Sequence, residues 1–309
     1  MNAPLRSSDG DGAARVSLAE LLALRARVGK AALPEQISRA GRSGQQSSRM
    51  HGRGMDYAES RIYQGGDDVR RLDWRLTARS GRLHTKLFQE EREGRLLIVV
   101  DGHASMRFGT RVRFKSVQSA RAAAWAAWYA VKAGERVGLM GFGAHDDLLA
   151  PRAGPRGALA LCGALAAWDA APAAPRSEPL SQVLQNIARV LNGASRVLLI
   201  TDGACSDDAS RRHFVQLARQ TRLGVLAVAD PLETAPTPVG RYPLEHDGER
   251  VEWIVGREHQ QQDLPRLLGA GQARLRALTK ATGVACRLVN TAEDPFDAVA
   301  ALLGVRGRS

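Results

Sequence analysis

The sequence predicts an α/β protein built on a doubly wound, mostly parallel sheet with helices on both faces. Three observations carry this. LLIVVD (96–101), RVGLMGF (136–142), RVLLITD (196–202) and LGVLAVAD (223–230) are short apolar runs without polar alternation, as strands buried on both sides require. Segments of helical length separate them. Three of the runs stop on an aspartate, Asp101, Asp202 and Asp230. Ligands of such sheets bind outside the carboxyl ends of the strands, so Asp101 and Asp202 mark a candidate rim.

In chain order, SLAELLALRARVGK (17–30) predicts a helix, with Leu18, Leu21, Leu22, Leu24 and Val28 at helical spacing. Ser17 is placed to cap it, Glu20 follows three residues on, and Arg25, Arg27 and Lys30 crowd the far end. GRSGQQSSRMHGRG (41–54) reads as a polar, glycine-rich loop. From Met55 to Arg95 the chain is charged yet patterned, and the alternation of Leu83, Thr85 and Leu87 predicts a strand in RLHTKLF (82–88). Lys115–Ala133 is an alanine-rich helix whose Trp125 and Trp128 are expected in the core. Further helices are predicted over Gly157–Trp168, Leu180–Leu191 and Ser210–Gln220. A hairpin is inserted at about 238–256, with His246-Asp247-Gly248 at its tip. A long helix over Gln261–Thr282, a strand over 284–289 and a helix over Pro295–Leu303 close the chain. Two parts result: 1–92, holding the first helix, the loop and the charged segment, and 93–305, holding the sheet.

Lysine and arginine number 44 against 32 acidic residues, a net charge of +12 that suits nucleic acid, anionic lipid or an acidic protein. Both signs interleave and only 5% of residues are aromatic, so a base-stacking surface is poorly supplied and acidic protein partners are the expected use. Cys162, Cys205 and Cys286 fit neither a metal knuckle nor a disulfide framework, and are expected as small buried hydrophobes in a reducing compartment. No apolar run reaches the roughly 18 residues of a membrane span. The opening MNAPLRSSDGDGAARVS lacks the order of a secretory signal, so a cytoplasmic location is expected. Neither GxGxxG nor GxxxxGK[ST] follows a strand, leaving nucleotide binding without support.

Asp101 with a hydroxyl four residues on, together with the Thr201-Asp202-Gly203 turn, resembles a von Willebrand factor A domain. There, an Asp-x-Ser-x-Ser motif, a threonine from a second loop and an aspartate from a third form the metal ion-dependent adhesion site. The run Arg61-Ile-Tyr63-Gln-Gly65-Gly66-Asp67-Asp68-Val-Arg70-Arg-Leu-Asp73-Trp74, then Thr77-Ala78-Arg79, resembles the signature of the domain of unknown function 58 family. Phe88-Gln89-Glu90-Glu91-Arg92, Met106-Arg-Phe108-Gly109, Lys115, RVGLMGF and Asp230-Pro231-Leu232-Glu233 match it in order, so the resemblance covers about 15–305. It implies a von Willebrand factor A-like sheet domain with an N-terminal helix and a small strand-containing extension. It also implies a non-enzymatic role, beside a MoxR-type AAA+ ATPase, in maturing or remodelling other proteins. The signature residues to be placed are Arg61, Tyr63, Gly66, Asp67, Asp68, Arg70, Asp73, Trp74 and Arg79.

By the same resemblance, magnesium would fall to Asp101, Ser105 and Asp202, with Ser177 near the second-loop threonine. The motif departs at His103, an imidazole where the first hydroxyl belongs, which implies a degenerate site. A working magnesium site, a metal-free rim, and a repurposed site using His103 with Asp101 and Asp202 all stay open. The aspartates can equally cap the helices that come after them, and Arg107, Arg111 or Lys115 can supply the cation's charge. In the signature segment, Asp67 or Asp68 is expected to cap the next turn, and Val69, Leu72, Trp74 and Leu76 to dock on the main domain. Arg61, Arg70 and Arg79 are expected to pair with Asp68, Asp73 and Glu90. Two other functions remain: nucleic-acid binding through the Arg-rich 39–95 region, and metal-dependent hydrolysis at His103, Asp101 and Asp202, which lacks an evident general base.

Overall fold

The four apolar runs form adjacent strands of one six-stranded sheet, as their burial on both faces demands. The computed structural model describes residues 10–29, 55–90, 94–170, 177–191, 196–246 and 249–304. The predicted loop at 41–54 and the hairpin tip at 247–248 lie outside the described residues. Two compact units are present: Gln36–Glu93, and Met1–Glu35 together with Gly94–Ser309.

The larger unit begins with α1 (Leu18–Gly29), where Ser17 Oγ accepts the Glu20 N–H as the sequence predicts. The smaller unit holds β1 (Met55–Ile62), α2 (Trp74–Ser80) and β2 (His84–Glu90), with the two strands antiparallel. The larger unit resumes with β3 (Arg95–Asp101), α3 (Lys115–Lys132), β4 (Arg136–Phe142), β5 (Leu148–Arg152), α4 (Pro155–Ala170), α5 (Leu180–Val190), β6 (Arg196–Thr201), α6 (Ser210–Gln220), β7 (Arg222–Ala229) and α7 (Pro231–Thr234). The hairpin β8 (Gly240–His246) and β9 (Glu249–Val255) comes next, then α8 (Asp263–Leu268), α9 (Ala270–Thr282), β10 (Ala285–Asn290) and α10 (Phe296–Leu303).

The sheet order is β10-β7-β6-β3-β4-β5, parallel except for β5. This is the doubly wound, mostly parallel arrangement that the apolar runs and the resemblance both pointed to. Alternate residues of β3 feed two cores: Leu96, Ile98 and Val100 meet α1, α3, α4 and α10, whereas Leu97 and Val99 meet α5, α6 and α9. Alanine lets α3 be enclosed on every side. Trp125 stacks on Tyr129 and Phe296, and the Trp128 indole N–H donates to the Leu21 carbonyl, so both tryptophans are core residues.

Two elements differ from the sequence reading. The edge strand β5 carries no apolar run, because only alternate residues are half-buried, and so it gave no signal. The long helix expected at 261–282 is divided, with a 3-10 turn at Glu258–Gln262 preceding α8 and α9, broken at Gly269. A Cβ at Gly269 would lie 2.6 Å from the Glu233 carbonyl oxygen and 2.7 Å from that of Pro265. The junction between α8 and α9 therefore has no room for a side chain.

Candidate functional site

The connections from β3 and β6 leave in opposite directions, to β4 and to β7, and between these two neighbouring strands lies the switch point where open sheets bind ligands. Asp101 ends β3 and Asp202 comes directly after β6, so both reach one rim as the sequence suggested. Both are buried, at 2% and 4% exposure. They build the rim and do not present themselves at its surface.

Every oxygen of Asp101 is engaged. Its Oδ1 accepts the His103 backbone N–H at 2.9 Å and pairs with His103 Nδ1 at 2.8 Å; its Oδ2 accepts the Thr201 hydroxyl at 2.5 Å. The Glu178 N–H donates to His103 Nε2 at 3.2 Å, which leaves Nδ1 as the ring's donor toward Asp101. Burial opposes the charged imidazole, but the hydrogen bond to Asp101 and the carboxylates of Asp101, Asp202 and Glu178 outweigh it and raise its pKa. Asp202 Oδ1 accepts the Ala204 N–H at 2.8 Å, while Oδ2 receives the Lys115 ammonium at 2.9 Å. The same ammonium donates to Glu233 Oε1 at 2.7 Å, and Glu233 Oε2 accepts the N–H of Asp230 in a capping box at the start of α7. Burial works against the Lys115 ammonium, yet its two carboxylate partners hold its pKa above the ordinary value.

The aspartates thus close their own turns at i+2, and neither caps the next helix: the N-cap positions of α3 and α6 are Phe114 and Ala209, without side-chain caps. Of the three basic residues considered for the cation's charge, Lys115 takes Asp202, and Arg107 instead lies 3.6 Å from Asp169. Ser105 is at the rim with a buried Oγ that has no partner among the described residues, so no hydroxyl–imidazole pair forms with His103. Ser177 is exposed, and the threonine beside Asp101 is Thr201, from the turn that also carries Asp202. Glu178, Thr201 and Cys205 went unnoticed as site residues in the sequence. For Thr201 the signal was present, since it opens the Thr-Asp-Gly turn already singled out.

Magnesium takes oxygen ligands in an octahedral array. This rim puts an imidazole on one aspartate and an ammonium on the other, and the residues do not fit that ion. Beside them is a cavity of about 50 Å³ between Asp101, His103, Met106, Arg107, Trp168 and Asp169. A metabolite pocket is usually roughly 300–1,000 Å³. The turn is pinned from below: Gly203 has φ +78°, and a Cβ there would lie 2.7 Å from Leu275 Cβ and 2.8 Å from the Gly271 carbonyl oxygen. Gly203→Ala is therefore expected to lower stability by more than about 1 kcal/mol, read as a lower urea midpoint at unchanged m.

In the smaller unit the signature acids build turns. Asp67 accepts from the Arg61 guanidinium at 2.7 Å and from the Gln64 N–H, and Gly66 beside it has φ +109°. Tyr63 Oη donates to the Asp67 carbonyl. Asp68 accepts the Arg70 N–H; Asp73 caps α2 through the Leu76 N–H and accepts the Ser60 hydroxyl. The capping role holds, but the expected pairing of Arg61 does not, because the turn brings it to Asp67. Leu72 is buried and Leu76 half-buried, whereas Val69 and Trp74 are 61% and 67% exposed. Arg70 and Arg79 are exposed as well.

Known proteins similar to this chain include members of one family, curated relatives and solved structures. The family model described as "Protein of unknown function DUF58" matches residues 59–264. Uncharacterized protein Rv1480 of Mycobacterium tuberculosis and Uncharacterized protein Mb1516 of Mycobacterium bovis are each 32% identical over 195 residues, covering 63% of this chain and 61% of their own length. Among solved structures, an aerotolerance-related membrane protein from Bacteroides fragilis is similar at a TM-score of 0.46 and 14% identity, over 69% of this chain and 98% of that one. BatB from Bacteroides thetaiotaomicron gives 0.44 and 15%, over 68% and 97%. A von Willebrand factor type A protein from Catenulispora acidiphila gives 0.34 and 13%, over 61% and 45%. With the family model covering most of the chain, this protein belongs to the DUF58 family.

Proposed function

We propose that this chain is a non-enzymatic adaptor that docks a MoxR-type AAA+ ATPase, or that ATPase's client, on the strand-end rim of its sheet domain. The observation that carries this reading is the closure of the rim. Asp101 and Asp202 are both buried and both bonded to donors of this chain, so neither carboxylate is free to act as a general base. The small cavity beside them supports the same reading. What the rim offers outward is the loop between Arg107 and Phe114, which carries exposed Arg111 and Val112. Thr110 fastens that loop to the end of β7 through its N–H and hydroxyl on Asp230, and a surface fixed before contact spends less free energy on ordering when it binds. Among the described residues no helix is long and apolar enough to cross a membrane.

The test is co-purification with a MoxR-type ATPase from the same organism, and then titration. The wild type is expected to form a complex, and Val112→Asp to weaken it at least tenfold, about 1.4 kcal/mol. A complex indifferent to Val112→Asp and to Ser177→Arg, both exposed and outside the hydrogen-bonded network of the aspartates, would remove the rim from the mechanism.

A further inference from the structure

We propose that the rim is a binding site for a borderline-soft divalent cation, zinc foremost, held by Asp101, His103 and Cys205. One donor atom from each of these residues lies within 4.8 Å of the other two. A tetrahedral zinc with bonds of about 2.0–2.3 Å separates its ligands by roughly 3.3–3.8 Å, a spacing inside the 4.8 Å limit that the three donors already meet.

The substitution that spoils the site for magnesium suits zinc. An imidazole stands where a hydroxyl belongs, and a sulfur is added from the loop after β6. The loops are already fixed around the three donors. Thr201 donates to Asp101 Oδ2 and the Cys205 carbonyl accepts the Leu180 N–H at 2.9 Å; to reach the ring, the ion displaces either the His103 Nδ1–Asp101 Oδ1 hydrogen bond or the Glu178 N–H from Nε2. Lys115 is spent on Asp202 and Glu233 and does not compete for Asp101. A second observation points the same way. Ser105 Oγ and Ser206 Oγ, on the two loops that carry His103 and Cys205, are buried without partners among the described residues.

The charge balances, because one carboxylate and one thiolate neutralise a divalent cation beside a neutral imidazole. On binding, a metal–sulfur bond forms and the thiol proton leaves to solvent. Without the ion, burial first, and then the Asp101 and Asp202 carboxylates, push the Cys205 thiol well above its ordinary pKa. Three protein donors leave a fourth position for water or for a side chain from outside.

The experiment titrates zinc into the metal-free full chain against a chromophoric chelator, with cobalt(II) as a spectroscopic probe. One equivalent of zinc is expected, with a raised Tm and, for cobalt, a thiolate-to-metal charge-transfer band. Cys205→Ser should abolish that band and weaken zinc by more than the roughly 10–100-fold carried by a second-layer partner. His103→Ala should weaken zinc similarly, and Cys286→Ser should change neither readout. Substoichiometric zinc binding, no thiolate band in the wild type, or a titration unchanged by Cys205→Ser overturns the site. The wild-type cobalt spectrum decides the matter even if a variant fails to fold. Because the assay contains no partner protein, its result is independent of whether the rim docks an ATPase.

Discussion

Lys115→Met is expected to destabilise the sheet domain by about 3–5 kcal/mol, the usual consequence of removing one partner from a buried ion cluster. Lys115 is 2% exposed, and it is the cation on which Asp202 and Glu233 converge. Methionine matches its stem but leaves two carboxylates facing each other out of water. The pH dependence identifies the mechanism. Lys115 has a folded-state pKa raised above 10.5, so its contribution is complete below that value and is lost as pH rises through the raised one. Burial, only partly offset by Lys115, raises Glu233 above its ordinary 4.5, which makes the folded state the better proton binder on the acid side. The gap in unfolding free energy between wild type and variant should be widest between the raised Glu233 value and pH 10.5. It should narrow on acidification, when the orphaned carboxylates protonate, and again above pH 10.5. Urea midpoints from pH 4 to 11 provide the measurement. A gap that does not vary with pH would mean that Lys115 acts by packing and not by charge.

Asp230→Ala should cost about 2–5 kcal/mol through the hydrogen bonds it breaks. Asp230 is fully buried, and its two oxygens accept from the Thr110 N–H, the Thr110 hydroxyl, the Leu232 N–H and the Thr291 hydroxyl. Each buried donor left without an acceptor costs about 1–3 kcal/mol. Asp230→Asn should recover part of the loss and no more, since its amide group turns a donor toward donors. A urea midpoint displaced by less than the equivalent of about 1 kcal/mol for the alanine variant would show that the loop from Arg107 to Phe114 is held by something else. If that loop is the docking surface, the same substitution should also weaken the ATPase complex.

Legibility tracked periodicity. The strands of the parallel sheet were plain because burial on both faces leaves a run of valine, isoleucine and leucine, and α5 was plain because one face is apolar. The strand β5 was not, since an edge strand needs only alternate residues half-buried. The junction at Gly269 was hidden because the carbonyl that leaves no room for a side chain there, that of Glu233, is 36 positions away in the chain. At the site, the two aspartates and the departure at His103 could be named from spacing. Glu178 could not, because it belongs to another loop; Cys205 lies three residues after Asp202 in the same loop, but a single cysteine carries no spacing that marks it.

By itself, the amino-acid sequence determined the α/β class, the place where two aspartates end their strands, and the family. Whether those aspartates were open to a hard cation was decided only by the tertiary structure. That question turns on which charges lie within 3 Å of them, and the answer is an ammonium 87 residues from Asp202 and an imidazole folded back onto Asp101. Local pattern reports which face of an element is buried; it carries no record of which distant charge arrives to neutralise a buried one.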